Sequence, residues 1–291
     1  MALLCLLAGA STRRGIPLTA VHIGHGLRGQ TAFDDARIAA DLSASLGLPF
    51  LYLSIDVPSG RRPGESPEAA ARRLRYGALL AAAADTQTQV RIATGHTLDD
   101  QAETVLMNLA RHGGRSRGGI RQRRPDGVIR PILPFRRTEL RAYLASIGVA
   151  WREDETNRDE RLLRNRISLS TLPSLETAMP GIAVRLARAG AAWTGRLDSL
   201  DARIDASLRE VLAPLEGPWP RSLFRSLGAE GALRLLVRAC GARGGVPGGV
   251  QLRRTTARLL SEVPRLSGSL AGLRIVSDAR AVRMSGRDDP A

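Results

Sequence analysis

The chain has 291 residues and a formal net charge of +15, carried by 43 basic residues against 28 acidic ones, and every basic residue is arginine. At roughly 100–200 residues per domain this length fits one large domain or two ordinary ones, and without a ~20-residue apolar run or a signal-peptide pattern a cytoplasmic protein with no membrane association is expected. Cys5 and Cys240 are the only cysteines; far apart and without C-x-x-C spacing, they exclude a disulfide framework and a thiolate metal site.

The first element, "MALLCLLAGASTRRG", reads as a helix ended by basic residues and Gly15, with no strand before it. Three β-rich runs follow, "PLTAVHI" (17–23), "LPFLYLSID" (48–56) and "QVRIATGH" (89–96), with helical patterns between them in "FDDARIAADLSASLG" and "SPEAAARRLRYGALLAAAAD". Strands alternating with helices predict an α/β fold with a doubly wound parallel sheet, whose ligands bind at the carboxyl ends of the strands. Gly24 to Arg28 and Gly95 to Asp100 follow two of those strands and fall on that edge.

From about Met179 the texture changes to arginine-studded helices: "GIAVRLARAGAAWTGRLDSLDARIDASLREVLAPL" as one long helix or two, then "RSLFRSLGAEGALRLLVRACGA" and "QLRRTTARLLSEV". "AGLRIVSDARAVRMS" reads as a terminal hairpin or a pair of short strands. Pro173, Pro180 and Gly181 punctuate the change, so a domain of residues 1–178 and a second, mostly helical domain of residues 179–291 are expected.

The stretch "TGHTLDDQAETVLMNLARHGG" concentrates polar chemistry. Thr97 is a candidate N-cap with Asp100 in a capping-box position, and Leu98, Ala102, Val105, Leu106 and Leu109 form a core stripe. Acids in a first helical turn complement the helix dipole by about 0.3–1 kcal/mol each, which accounts for one or two of Asp99, Asp100 and Glu103. A third at i+3 or i+4 is unfavourable unless a cation sits among them, and either a metal ion or a substrate ammonium would serve.

Other segments are less specific alone. "VHIGHGLRG" places His22 and His25 at a strand end without a third metal ligand. Glu68, Arg72 and Arg75 share related faces of a helix that Ser66 can cap. "RHGGRSRGGIRQRR" combines glycines with six arginines, a composition suited to a loop near phosphates. The absence of lysine fits the coding bias of a GC-rich genome, whereas the excess of charge fits a polyanionic partner. Aromatic residues are only 3%, too few for a base-stacking surface.

Taken in order, "VHIGHGLRG", "SPEAAARRLRY", "TGHTLDDQAETVLMNLARHGG", "IRPIL", "EDETNRDERLLRNRI" and "LPSL" resemble the tRNA(Ile)-lysidine synthetase family. The resemblance runs from about Val21 to Leu175. It implies an N-type ATP pyrophosphatase of the adenine nucleotide alpha hydrolase-like fold, which adenylates the wobble cytidine of an isoleucine tRNA with a CAU anticodon and lets lysine displace AMP. It further implies ATP and Mg²⁺ as cofactors, tRNA(Ile) and L-lysine as partners, a homodimer as a plausible assembly, and a second domain that grips tRNA. By motif position, Asp100 and Glu103 would hold lysine, with Arg72 near substrate or phosphates. His22, His96 and Asp99 would shape the nucleotide site, Arg111 would lie near phosphates, and Arg164 and Arg166 would bridge to ATP or tRNA; no residue is assigned to a metal.

The departures from the pattern are specific. The family's phosphate loop, S-G-G-x-D-S, and the strand before it do not occur in the sequence, and "MALLCLLA" corresponds to the helix that follows the loop. A start assigned too far downstream is the expected cause, a degenerate tRNA-binding remnant without catalysis the alternative. Gly24 stands where Asp or Asn is usual, Glu155 where Pro is usual, and Ser168 where Arg is common. A tRNA-thiolating enzyme is disfavoured because Cys5 and Cys240 are not placed as a catalytic pair.

Overall fold

A computed structural model describes residues 1–24, 29–85, 90–112, 118–151, 162–261 and 265–286. His25 to Arg28, most of the glycine–arginine loop and the "EDETNRDE" part of the expected motifs lie outside the described residues. The chain divides into two compact units, Met1–Ala192 and Trp193–Ala291. The division therefore falls inside a helix, beyond the residue 178 suggested by the prolines, because Pro180 and Gly181 only turn the chain into that helix.

In the first unit α1 (Ala2–Arg14) ends as its sequence predicts: Gly15 takes the left-handed conformation, φ 64°, and its N–H bonds Ser11 O, while Arg13 and Arg14 meet the negative end of the dipole. Its buried Ala2 and Cys5 pack with Ile132, Leu140 and Leu144. Strand β1 (Ala20–Gly24) is followed by helix α2 (Gly29–Ser45) and strand β2 (Phe50–Ser54). The two strands pair in parallel with Ala20 opposite Phe50 and Gly24 opposite Ser54. After the single turn α3 (Val57–Gly60), α4 (Pro67–Ala84) begins at Ser66, whose hydroxyl accepts from Ala69 N–H.

The third expected strand shrinks to β3 (Ile92–Ala93), parallel to β4 (Val128–Ile129). Both pairings have the parallel sense that strand–helix alternation predicts, and among the described residues they form two separate pairs. Helix α5 (Leu98–His112) springs from just beyond β3. Helix α6 (Arg137–Ser146), α7 (Leu163–Arg166), a π-helical turn over Ile167–Thr171 and α8 (Leu172–Ala178) follow. The buried face of α5, Ala102 and Val105, has the expected stripe, and Ala102 packs with Leu172 and Ala183. Helix α9 (Ile182–Glu210) is one continuous 29-residue helix. It approaches α5 closely at Gly190, where a Cβ would lie 2.5 Å from Val105 Cγ2.

In the second unit, strand β5 (Trp219–Pro220) precedes α10 (Arg221–Ala242) and α11 (Gly249–Leu260). Gly228 breaks α10 with φ 67° and ψ −177°, a conformation open to glycine alone. The expected hairpin is larger than predicted: β6 (Leu266–Leu270), β7 (Leu273–Ser277) and β8 (Ala281–Ser285) form an antiparallel meander, with β5 added beside β8. Strand β6, "LSGSL", carries no β-branched residue, so propensity hid it; burial of Leu266 and Leu270 and pairing with β7 define it. Ala271 and Gly272, φ 55° and 82°, form the two-residue turn of the β6–β7 hairpin, with both φ positive as type I′ requires. Trp219, Leu223, Phe224, Leu235, Leu236, Leu259 and Ile275 are the centre of this unit's core. Among the described residues, no helix is long and apolar enough to cross a membrane.

Candidate functional site

Helix α5 starts as the sequence predicts. Asp100 Oδ2 accepts from Thr97 N–H at 2.7 Å and from the Thr97 hydroxyl at 2.8 Å, while Asp100 N–H bonds Thr97 Oγ1 at 3.3 Å. This reciprocal cap turns the first helical turn, with Asp99, Asp100 and, one turn on, Glu103, toward the segments after β4.

The cation that three carboxylates demand is supplied by the protein itself. Arg136 Nε donates to Asp99 Oδ1 at 2.9 Å, and Arg137 N–H to Asp99 Oδ2 at 2.7 Å. Arg137 Nη2 bridges Asp100 Oδ1 (3.0 Å) and Glu103 Oε1 (2.7 Å). Arg164 repeats the bridge, with Nη2 to Asp100 Oδ1 at 2.7 Å and Nε to Glu103 Oε2 at 3.3 Å. Ser168 Oγ accepts from Arg137 Nη1 and donates to Glu103 Oε1 at 2.7 Å. Glu103 is only 1% exposed; a carboxylate there is stable because every oxygen meets a donor. For Asp100, burial favours protonation, but Arg137, the Thr97 groups and Arg164 outweigh it and hold the carboxyl below its ordinary range.

A second constellation surrounds Tyr76, on α4. The Arg72, Arg75 and Arg124 guanidiniums lie 5.2, 5.7 and 4.8 Å from its ring centre, within cation–π range, and Arg130 Nη2 donates to its hydroxyl at 3.3 Å. Arg130 is 2% exposed and also bonds Arg121 O and, at 3.4 Å, His96 Nδ1. Among the described residues, the carboxylate paired with these four arginines is Asp126, on Arg124. Burial opposes ionisation of Tyr76, yet Arg130, Arg72 and Arg75 together lower its pKa. Four cations converging on one phenol with little negative charge between them make a place for an anion.

His96 lies between the two constellations. Its Nδ1 is 3.0 Å from Thr94 Oγ1 and faces Arg130, which can only donate, so Nδ1 accepts and the neutral ring keeps its proton on Nε2. Burial, and next the Arg130 charge, push its pKa down to about 4 despite the opposing pull of Asp100. Between pH 6.5 and 4 the unfolded chain therefore takes up a proton that the folded chain refuses. Stability from this site is full above pH 6.5 and is lost as pH falls toward 4, by up to about 3 kcal/mol. Denaturant titrations at pH 7, 5.5 and 4 should show His96→Gln losing that part of the wild-type slope.

Of the residues expected in the site, Asp99, Asp100, Glu103 and Arg164 come together, and His96 and Arg72 lie close enough for the Arg72 charge to act on His96. Arg166 is exposed, two residues beyond Arg164 and so on another face of α7. Arg111 is exposed, eleven residues after Asp100 and thus ~16 Å along the helix axis. His22 stacks on Tyr52, ring centres 5.9 Å apart, and burial lowers its pKa while Asp35 opposes. The Tyr52 hydroxyl stands 2.0 Å from where a Gly24 Cβ would lie, so tyrosine fills the space that Asp or Asn would need.

The sequence reading missed Arg136 and Arg137, and held Tyr76 and Arg130 within "SPEAAARRLRY" and "IRPIL" without a role. A signal existed for the pair: two arginines opening a helix oppose its dipole, and such a placement needs nearby anions. Among the described residues no group of three His, Cys, Asp or Glu side chains could hold a metal ion. Cys5 and Cys240 are buried in separate units. A cavity of about 390 Å³ lies beside the acidic cluster, lined by Asp99, Arg136, Arg137, Ser168 and Glu176 among others.

Comparison with known proteins bears on this geometry. A family model described as a PP-loop domain matches residues 1–175. The tRNA(Ile)-lysidine synthase of Thermus thermophilus is 39% identical over 269 residues, covering 84% of this chain and 52% of that protein. The synthase of Solibacter usitatus is 36% identical over 207 residues, 68% of this chain and 46% of that one, and that of Deinococcus radiodurans 40% over 215 residues, 72% and 35%. The chain thus spans about half the length, or less, of these curated relatives. The U34-tRNA thiolase from Methanococcus maripaludis superposes with a TM-score of 0.55 at 16% identity, covering 66% of this chain and 68% of that one, a likeness of fold.

Proposed function

Because the chain belongs to the PP-loop domain family and resembles curated tRNA(Ile)-lysidine synthases along most of its length, we propose that it serves ATP-dependent formation of lysidine on the CAU-anticodon isoleucine tRNA. The observation that carries this reading is the juxtaposition, at the carboxyl end of β3, of a carboxylate pair, buried Glu103 and partly buried Asp100, and a cluster of arginines. Lysine brings an ammonium, which carboxylates bind, and both ATP and tRNA bring phosphates, which guanidiniums bind.

ATP is the co-substrate: the cytidine C2 oxygen takes its adenylyl group as pyrophosphate leaves, and the amine of lysine then bonds to C2, losing a proton as AMP departs with that oxygen. The residues of the chain then have three tasks. Asp100 and Glu103 hold the amine of lysine. Arg72, Arg75 and Arg130 balance phosphate charge, and a positive environment placed where charge develops lowers the barrier. Neutral His96 offers a donor from Nε2. The carboxylates of the site, Asp99, Asp100 and Glu103, are engaged by arginines, so no step is assigned to Mg²⁺. In the second unit, α11 exposes Arg253, Arg254 and Arg258 while burying Leu252, Thr255, Thr256 and Leu259, a face suited to an RNA backbone.

The string S-G-G-x-D-S does not occur in the 291 residues, so the decisive assay compares two polypeptides: the chain as it stands and the chain extended by a strand carrying that loop. With ATP, Mg²⁺, labelled lysine and tRNA(Ile) transcripts, the extended chain is expected to label the CAU transcript and not one with a GAU anticodon. Both polypeptides should bind tRNA with an affinity that falls steeply with salt. Labelling of neither transcript, with tRNA affinity indifferent to ATP, would support the non-catalytic binding remnant instead.

A further inference from the structure

The charges of the Asp100–Glu103 pair already balance. The two carboxylates face two guanidiniums, Arg137 and Arg164, and a substrate ammonium added to this group would put surplus positive charge against buried Glu103. One internal cation has to leave before an amine can enter. Arg136 touches Asp99 and Glu176 and is not in contact with the Asp100–Glu103 pair.

Arg137 and Arg164 share that pair and differ little in exposure, 36% and 39% of the side chain, but they differ in tethering. Arg137 belongs to the first turn of a ten-residue helix, its own N–H is bonded to Asp99, and its guanidinium also reaches Ser168. Arg164 sits in the first turn of the helical run that α7 opens, whose N-cap Leu162 offers no side-chain bond, and among the described residues no backbone or hydroxyl contact holds its guanidinium as Asp99 and Ser168 hold Arg137. The Arg164–Glu103 contact is the longest of the four carboxylate contacts, 3.3 Å. Arg164 also stands next to the basic constellation, since its charge acts on both Arg75 and His96.

We propose that Arg164 is a displaceable internal cation: it closes the Asp100–Glu103 pair while the arginine cluster around Tyr76 is empty, and moves to the anion when a polyphosphate or RNA phosphate binds that cluster, freeing the carboxylates for an amine. This rests on the lysidine-forming reading of Asp100 and Glu103 and adds an order to it, phosphate before lysine. The physical basis is reciprocal linkage: an anion that favours the state with Arg164 withdrawn favours, by the same factor, the ligand that needs that state. Arg164 is a positioning residue in this account, acting through the carboxylates it vacates.

The test titrates L-lysine into the 291-residue protein by calorimetry, with and without saturating tripolyphosphate. Tripolyphosphate should tighten lysine binding of the wild type about tenfold. Arg164→Gln should bind lysine about tenfold more tightly than wild type without tripolyphosphate and should show little further gain with it, while Arg164→Lys should restore part of the effect. An equal lysine affinity with and without tripolyphosphate in the wild type overturns the proposal, and that measurement needs no variant to fold. Loss of lysine binding in a folded Arg164→Gln also overturns it, since Arg164 would then be a lysine contact. Asp100→Asn separates the two levels. Lysine binding unaffected by Asp100→Asn sinks the lysidine-forming reading, whereas binding that needs Asp100 but ignores Arg164 and tripolyphosphate sinks only the displacement.

Discussion

Replacing Arg137 by methionine is expected to destabilise the first unit by about 3 kcal/mol at pH 7. Removing one partner of a buried ion pair leaves the other as an uncompensated charge, which typically costs about 3–5 kcal/mol; here Glu103 is buried but Arg137 is 36% exposed, and the low end applies because solvent screens the arginine and Arg164 and Ser168 still reach Glu103. The pH dependence has a defined sign. Asp100 ionises more readily in the folded chain, with Arg137 first among the groups that outweigh its burial. Its contribution is therefore present above the unfolded carboxyl value of about 4 and is lost as pH falls through the lower folded value. The gap between wild type and Arg137→Met should accordingly narrow on acidification to pH 3. Arg137→Met and Arg164→Met should be non-additive, because both act on the same two carboxylates. Denaturant dependence of amide exchange in α5 reads all three quantities, and a cost below about 1 kcal/mol would mean that Arg164 and Ser168 alone satisfy Glu103.

Arg221→Met is expected to cost the second unit a similar amount, about 3 kcal/mol, for a different reason. Arg221 is buried and its guanidinium meets carbonyls: Asp278 O at 3.1 Å, Arg258 O at 3.3 Å and Ser261 O at 3.0 Å. One side chain thus closes the C-terminal end of α11 against the β7–β8 turn. Removing it leaves buried acceptors without a donor, at about 1–3 kcal/mol each, offset by no longer burying a guanidinium. Arg221→Lys should recover only part of the loss, since a single ammonium cannot present two nitrogens in the planar fork that spans these carbonyls. Faster exchange of the β7 and β8 amides, with α5 unchanged, is the expected signature. The fall of both units together would show that they unfold as one.

Local chemistry was legible wherever the cause was local. Gly15 as a left-handed stop, Ser66 and Thr97 as caps, the apolar stripe of α5 and the strand–helix alternation each depend on residues within one or two turns of each other, and each appears as the sequence implies. Elements whose identity depends on distant partners were less legible. Strand β6 lacks β propensity and is made by pairing with β7, the broken α10 turns on one glycine backbone, and the unit boundary falls within a continuous helix.

The candidate site divides in the same way. The sequence alone determined that Asp99, Asp100 and Glu103 crowd one helix start and require positive charge, because helical spacing and Coulomb repulsion are properties of eleven consecutive residues. It also determined, through a string of motifs, which family to expect. Which cation answers the carboxylates was decided only by tertiary structure: Arg137 lies 34 residues beyond Glu103 in the chain and Arg164 lies 61 beyond it, and no periodicity links such separations. The same holds for the four arginines around Tyr76, drawn from α4 and from the segment 124–130. Charge type is written in the sequence, but charge pairing is a matter of a few ångströms between segments that only folding brings together.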